Sequence, residues 1–396
     1  MARGGTRARL EAPIDTSVLA TPSAPVAGGT STRVRVGVIG AGLIAQVMHL
    51  HYLRELSDRF ETAILCDVVP EAAAASADRF GIDKTATDWQ EVLAEPIDAV
   101  LVLTAGSHAP IAIEAARAGK HVLVEKPMCF STAEGRAMVD AAEHANVTLM
   151  TAYNKRYDPA YLRFRDEAGA MRDGRFLRVT TLESPFQPYV SHYPLTPAAK
   201  PDDETLERLR RDAAEAIVRA LPDADDTLRW IYRFVLLDTL VHEINAVRGV
   251  LGEPDRLEWV DLRKSLVSVM LRYGELAVAI HWIDLPGIAR YKMEFALYAP
   301  DRRLTLSFPS PFLRNEPTLL EIEEGAPGDA ASRSVEEVTS FESGFKRELI
   351  AFHEGIVGGS RPVTAGDDGV RDVALCEAIV RSAATGRPVE RPTASV

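Results

Sequence analysis

A chain of 396 residues is too long for one ordinary hydrophobic core and implies about two domains. A net charge of −12 excludes a surface built to gather nucleic-acid or anionic-membrane phosphates, which needs clustered Lys and Arg. Three scattered cysteines, Cys66, Cys129 and Cys376, offer neither a disulfide framework nor zinc spacing, so no metal site is expected and a cytoplasmic enzyme is.

Residues 1–32 are rich in Ala, Thr, Ser, Pro and Gly and lack the apolar centre of a signal peptide; they read as a disordered extension. No stretch reaches the ~20 apolar residues of a membrane span. From Val34 the pattern changes. An apolar strand over 34–39 runs into Gly40, Gly42 and Ala45, and a helical pattern over 43–57 follows at once. Gly40 permits the tight turn, Gly42 lets a pyrophosphate approach the backbone, and Ala45 lets helix pack on strand. The helix start, with Leu43 and Ile44, offers free N–H groups and partial positive charge to phosphates. Asp67 closes the next strand, 62–67, close to the roughly 20 residues expected for a carboxylate that holds an adenosine ribose. No arginine follows it in Val68, Val69 or Pro70 to meet a 2′-phosphate, so NAD is expected over NADP.

Further strands over 98–104, 121–125 and 147–153 alternate with helices over 71–80, 108–118 and 132–145. The alternation predicts a doubly wound parallel sheet over 33–152, a Rossmann domain with its cofactor across the strand ends. His49 and His51, on the first helix, suit surface or packing roles. At the end of the fourth apolar run, Glu125 and Lys126 stand where a doubly wound sheet faces its cofactor, against the plainer reading of a solvated charged pair.

Residues 153–396 form the second domain. An unusual segment, about 185–230, carries Pro185, Phe186, Pro188, Tyr189, His192 and Tyr193 and then a charged helix from Asp202 to Leu221. Its narrow apolar stripe (Leu206, Leu209, Ala213, Ala216, Ile217, Leu221) suits an inserted flap or an interface element, and the aromatics suit either a substrate wall or loop packing. In the helical run that follows, offsets of four and seven put Asp238, His242 and Asn245 on one face, which its apolar flanks predict to be buried. A structural His–Asp pair is the bland alternative. Strand-like runs over 257–263, 267–273, 276–283, 291–298, 302–308 and 318–324 predict an open, mainly antiparallel meander, and helical periodicity returns at 342–357 and 369–384. An uncovered apolar face on that sheet would favour a homodimer or homotetramer.

Together these features resemble the glucose–fructose oxidoreductase, inositol dehydrogenase and MocA family of NAD(P)-dependent sugar oxidoreductases, over roughly residues 33–390. The Gly40/Gly42/Ala45 turn, the Ala118–Pro127 stretch ending Glu125-Lys126-Pro127, the Asp238…His242 pair, the Asn154–Pro159 stretch and the Ser382–Pro388 tail carry the resemblance. It implies catalytic positions at Lys126, Asp238 and His242, and substrate contacts from these with Arg156, Tyr157 and Asn245. Cofactor contacts are expected from Gly40, Gly42, Leu43, Ile44, Ala45, Asp67, Thr104, His108, Glu125 and Lys126. Two departures bear on the substrate side: Thr104 is followed by Ala105 and not proline, and residues 230–237 replace a Gly-Gly approach to the catalytic helix.

The residue types suit hydride transfer between a nicotinamide and a hydroxyl-bearing carbon of a small polyhydroxylated substrate: a sugar, cyclitol or nucleotide-activated sugar. His242 would take the hydroxyl proton, Asp238 would support that charge or contact substrate, and Lys126 would stabilise the oxygen. Two alternatives are a redox-neutral enzyme that keeps its NAD and cleaves glycosidic bonds, and a dinucleotide sensor without catalysis; retention of all three residues counts against the sensor.

Overall fold

In the computed structural model, which describes residues 33–171, 173–196 and 200–393, the first apolar run becomes β1 (Val34–Ile39). The extension expected over 1–32 lies outside the described residues. Gly40 follows β1 at φ +105°, where an added Cβ would stand 2.8 Å from the Leu103 backbone, so the turn admits only glycine. The helix after the turn winds first as a π-helix (Ala45–His49) and then as α1 (Leu50–Glu55). The chain continues through β2 (Phe60–Cys66), α2 (Pro70–Phe80), β3 (Thr85–Ala86), α3 (Trp89–Ala94), β4 (Ala99–Val102), α4 (Ala109–Arg117), β5 (His121–Val124), α5 (Thr132–Ala145) and β6 (Leu149–Thr151). All six strands are parallel, in the order β3-β2-β1-β4-β5-β6, with the switch point between β1 and β4. Helices on both faces explain why β4 reads as a continuous apolar run with no residue exposed. Elements as short as β3 and α3 carry too few residues to show a period, and the sequence does not reveal them.

The second domain opens with a 3-10 turn (Asn154–Tyr157) and α6 (Pro159–Ala170), whose N-terminal amides at Ala160 and Tyr161 donate to the Asp158 carboxylate. Then come β7 (Phe176–Glu183), α7 (Gln187–Val190), α8 (Asp203–Ala220) and α9 (Asp226–Ile231). A π-helical stretch (Tyr232–Leu240) continues directly into α10 (Val241–Leu251). Strands β8 (Arg256–Arg263), β9 (Leu266–Tyr273), β10 (Leu276–Asp284), β11 (Lys292–Tyr298), β12 (Arg302–Phe308), β13 (Leu319–Gly325) and β14 (Ser332–Val338) are followed by α11 (Gly344–Gly358), α12 (Gly366–Thr385) and β15 (Val389–Glu390).

The expected meander is interrupted. The nine-stranded order is β14-β13-β12-β11-β7-β10-β9-β8-β15, so β7, from far earlier in the chain, slots between β10 and β11 and runs parallel to β10. The outer face of this sheet also differs from the apolar patch expected. Alternation turns Arg178, Glu294, Ser268, His281, Glu258 and Arg272 outward, where they pair with one another, and the large apolar residues among them include Trp259, 54% exposed, and the half-buried Met270 and Ile283. The stripe on α8 is engaged only over its C-terminal half: Ala213, Ala216, Ile217 and Leu221 are buried, whereas Leu209 is exposed. The last helices do pack back across the molecule. The Thr151 amide donates to the Thr364 carbonyl at 2.9 Å, and Met150 bridges to Ala365 along the free edge of β6. Among the described residues no helix is long and apolar enough to cross a membrane, and no cluster of His, Cys, Asp or Glu could hold a metal ion.

Candidate active site

At the carboxyl end of β1, a Cβ added to Gly42 would meet nothing within 4 Å, so the turn leaves an open approach to its backbone. The Asp67 carboxylate reaches back from the end of β2, accepting from the Ala41 amide at 2.8 Å and the Val69 amide at 2.9 Å. It therefore sits at the rim of the glycine turn, where its remaining lone pairs suit ribose hydroxyls. Leu43 and Ile44 are half-buried at the helix start beside it. This arrangement fits a dinucleotide: open glycine backbone, a helix N-terminus and a ribose carboxylate meet in one cleft.

Thr104, half-buried at the end of β4, offers its carbonyl to His108 Nε2 at 2.8 Å, and His108 Nδ1 lies 2.7 Å from the Pro127 carbonyl. His108 is fully buried with both nitrogens committed to backbone. It links the loops after β4 and β5, its one N–H donating to one of the two carbonyls, and it is fully buried where a cofactor contact was expected. Glu125 is likewise engaged, 2.7 Å from the buried His49 Nε2 and accepting from the Lys126 amide at 3.0 Å. The packing role expected of His49 is thus specific: it holds the carboxylate next to Lys126.

Lys126 projects from the end of β5 into a cavity of about 320 Å³ between the Rossmann strand ends and the nine-stranded sheet. Its ammonium donates to Asp238 Oδ1 at 3.0 Å and to the Asp238 carbonyl at 2.5 Å. Burial opposes that charge, but the carboxylates of Asp238 and Glu125 outweigh it and hold the lysine above its ordinary range. His242 lines the same cavity, its Nδ1 buried without a partner. Burial, reinforced by the ammoniums of Lys155 and Lys126, pushes its pKa well below 6.5, so the imidazole is neutral.

Asp238 and His242 do not pair. Asp238 sits in the π-helical stretch, where i→i+5 winding breaks the 3.6-residue repeat that the offsets assume. Its side chain is 56% exposed, facing Lys126, and not on a buried polar stripe. Asn245, one turn deeper on α10, points instead at α12. Its Nδ2 donates to Asp368 at 2.8 Å and Asp372 at 2.7 Å, within a buried network closed by Arg248. Arg156 joins that network through the Asn245 carbonyl at 3.2 Å, and the Tyr157 hydroxyl lies 2.9 Å from Thr364 Oγ1. Arg156, Tyr157 and Asn245, expected as substrate contacts, are therefore not among the residues that line the cavity.

The residue the 3-10 turn does aim inward is Lys155, only 6% exposed. It makes no hydrogen bond or ion pair with a described residue, and burial lowers its pKa. Glu243 lines the cavity beside it, with Oε1 accepting from the Thr181 hydroxyl and Oε2 buried without a partner. Burial pushes Glu243 up to about 7, held from rising further by Lys155 and Thr181. Glu183 completes this polar wall, and burial raises it too. Phe186, Tyr189, Tyr291 and Phe312 form the facing aromatic wall, so the segment before α8 does contribute to the cavity. Sequence signals for the missed pair exist but are faint: Glu243 directly follows His242 in a largely apolar helical run, and Lys155 lies beside the Arg156 and Tyr157 favoured in its place.

Residues 34–153 match the family model described as "Oxidoreductase family, NAD-binding Rossmann fold", and residues 310–390 match "Oxidoreductase family, C-terminal alpha/beta domain". The chain is 28% identical over 368 residues to 1,5-anhydro-D-fructose reductase of Ensifer adhaerens, covering 91% of this chain and 99% of that protein. It is 26% identical over 366 residues to myo-inositol 2-dehydrogenase of Thermotoga maritima, covering 90% and 98%. Among solved structures, levoglucosan dehydrogenase in complex with NADH and L-sorbose shares the fold at a TM-score of 0.70 with 22% identity, covering 92% of this chain and 100% of that one.

Proposed function

Because the chain belongs to the glucose–fructose oxidoreductase, inositol dehydrogenase and MocA family of NAD-dependent oxidoreductases, we propose that it transfers hydride between NAD and a carbon bearing a hydroxyl or keto group in a sugar, cyclitol or nucleotide-activated sugar. The observation that carries this reading is the meeting of a charged Lys126, held by Asp238, with a neutral His242 in one cavity at the cofactor-facing end of β5. The relatives' names point the same way: one is a reductase of an anhydro-sugar and one a dehydrogenase of a cyclitol.

In this reading the Gly40–Ala45 turn and Asp67 hold NAD, and Thr104 borders it. NAD supplies the hydride acceptor when bound. Lys126, which stays protonated, donates a hydrogen bond to the reacting oxygen and stabilises charge developing there. His242, being neutral, has a free lone pair for the hydroxyl proton. Asp238 positions the ammonium of Lys126 and makes no hydrogen bond to His242. The aromatic wall suits the apolar face of a sugar ring, and the polar wall its hydroxyls.

Following NADH absorbance with a panel of sugars and cyclitols tests the reading. Net reduction of added NAD supports it; glycoside cleavage without added NAD would replace it with the redox-neutral alternative. Assembly and location belong to the same reading: a cytoplasmic homodimer or homotetramer, formed through the outer face of the nine-stranded sheet around Trp259.

A further inference from the structure

Oxidising an alcohol leaves a proton that some group near the reacting carbon can take up after hydride has gone. Lys126 is already protonated, and its ammonium is held by Asp238. His242 offers a lone pair, but burial and the ammoniums of Lys155 and Lys126 disfavour its charged form. Two further carboxylates line the cavity: Glu183 accepts from the Ser184 amide and the Trp282 indole, and Glu243 is arranged differently. Glu243 lines the cavity yet is fully buried; its Oε1 is fixed by the Thr181 hydroxyl of β7, and its Oε2 is buried without a partner. A buried oxygen without a partner costs about 1–3 kcal/mol, a cost that a proton or a substrate hydroxyl would offset.

We infer that Glu243 is the group that keeps the substrate proton. In oxidation the substrate C–H bond breaks with its electron pair, which passes as hydride to NAD. The O–H bond breaks with its pair remaining as the new carbonyl bond, and the proton, taken first by His242, comes to rest on Glu243 as a neutral carboxylic acid. Reduction runs the same steps backwards, with Glu243 giving the proton up. The charged and titratable groups facing Glu243 suit this exchange. Lys155, from the 3-10 turn, favours the carboxylate; Glu183, from β7, opposes it; the Tyr291 phenol beyond them is held neutral by burial. These influences leave Glu243 at about 7, so it can be emptied and filled near neutrality.

The inference rests on the dehydrogenase reading above, and the pH dependence of kcat/KM separates the two. For oxidation the wild type should gain activity as pH rises through about 7, because only the carboxylate can take the proton; for reduction it should lose activity over the same range. Glu243→Gln keeps the shape and the Thr181 contact. It should abolish that limb in both directions and lower the rate by ~10²-fold or more, the usual cost of losing an acid–base group, while NADH affinity and melting temperature stay near the wild type. Thr181→Val removes the hydrogen bond that favours the carboxylate, so the limb should move to higher pH. A Glu243→Gln enzyme that retains the limb near 7, or a Thr181→Val enzyme whose limb does not move, would overturn the assignment alone. Absence of turnover by the wild type across the whole panel would overturn the dehydrogenase reading and this assignment with it.

Discussion

Lys126 and His242 differ from Asn245 in what their loss should do, although all three stand out in the sequence. Lys126→Met and His242→Ala should each cut turnover by ~10²–10⁴-fold. NAD affinity should stay put, because Asp67 and the glycine turn lie at other strand ends; near-normal turnover in either variant would overturn the catalytic role given to that residue. Asn245→Ala should do the reverse. It strips donors from Asp368 and the fully buried Asp372, costing about 1–3 kcal/mol of stability, with little change in kcat. A loss of kcat without a lower melting temperature would show that Asn245 touches substrate after all. Glu348 gives a pH test. It is fully buried on α11, both oxygens lack partners, and burial, aided by the nearby Glu125, raises it well above 4.5. Above that pH the unfolded chain loses this proton while the folded one keeps it, so folding loses stability as pH rises. Glu348→Gln should therefore gain melting temperature over the wild type increasingly as pH rises above the ordinary glutamate range; a constant gap would contradict the assignment.

At the scale of elements, the regular pieces were legible and the irregular ones were not. β1, α5 and β12 lie where the apolar pattern puts them, because strand and helix periods are both clear there. The π-helical stretch carries no such mark. A sequence wound at one residue more per hydrogen bond looks like an ordinary amphipathic helix, and so Asp238 was expected to share a face with His242. The 3-10 turn failed for the same reason: which of Lys155, Arg156 and Tyr157 enters the cavity depends on a turn too short to show a period. β7 was hidden because its partners, β10 and β11, lie about a hundred residues away and local pattern says nothing of them. Asp67, by contrast, could be placed from spacing alone. Asp67→Ala should narrow any preference for NAD over NADP, measured by titrating both; equal or tighter NADP binding by the wild type would refute the role given to this carboxylate.

For the whole molecule, the outer sheet face sets the expected assembly. Light scattering at micromolar concentration should give a dimer or tetramer, and a monomeric mass would refute it. Since Arg178, Glu294, Glu258 and Arg272 cross that face, association should weaken as salt rises, more than an apolar seam would allow. The return of the chain to β6 has a different kind of consequence. Thr364 meets Thr151 across 213 residues of sequence, and its carbonyl and hydroxyl complete the free edge of the Rossmann sheet. At 5–20 residues per second, a ribosome needs roughly 10–40 s to make the intervening chain. During that interval the nascent first domain presents an open strand edge and the uncovered flank of α5, the kind of surface that chaperones engage and that pairs with neighbouring chains.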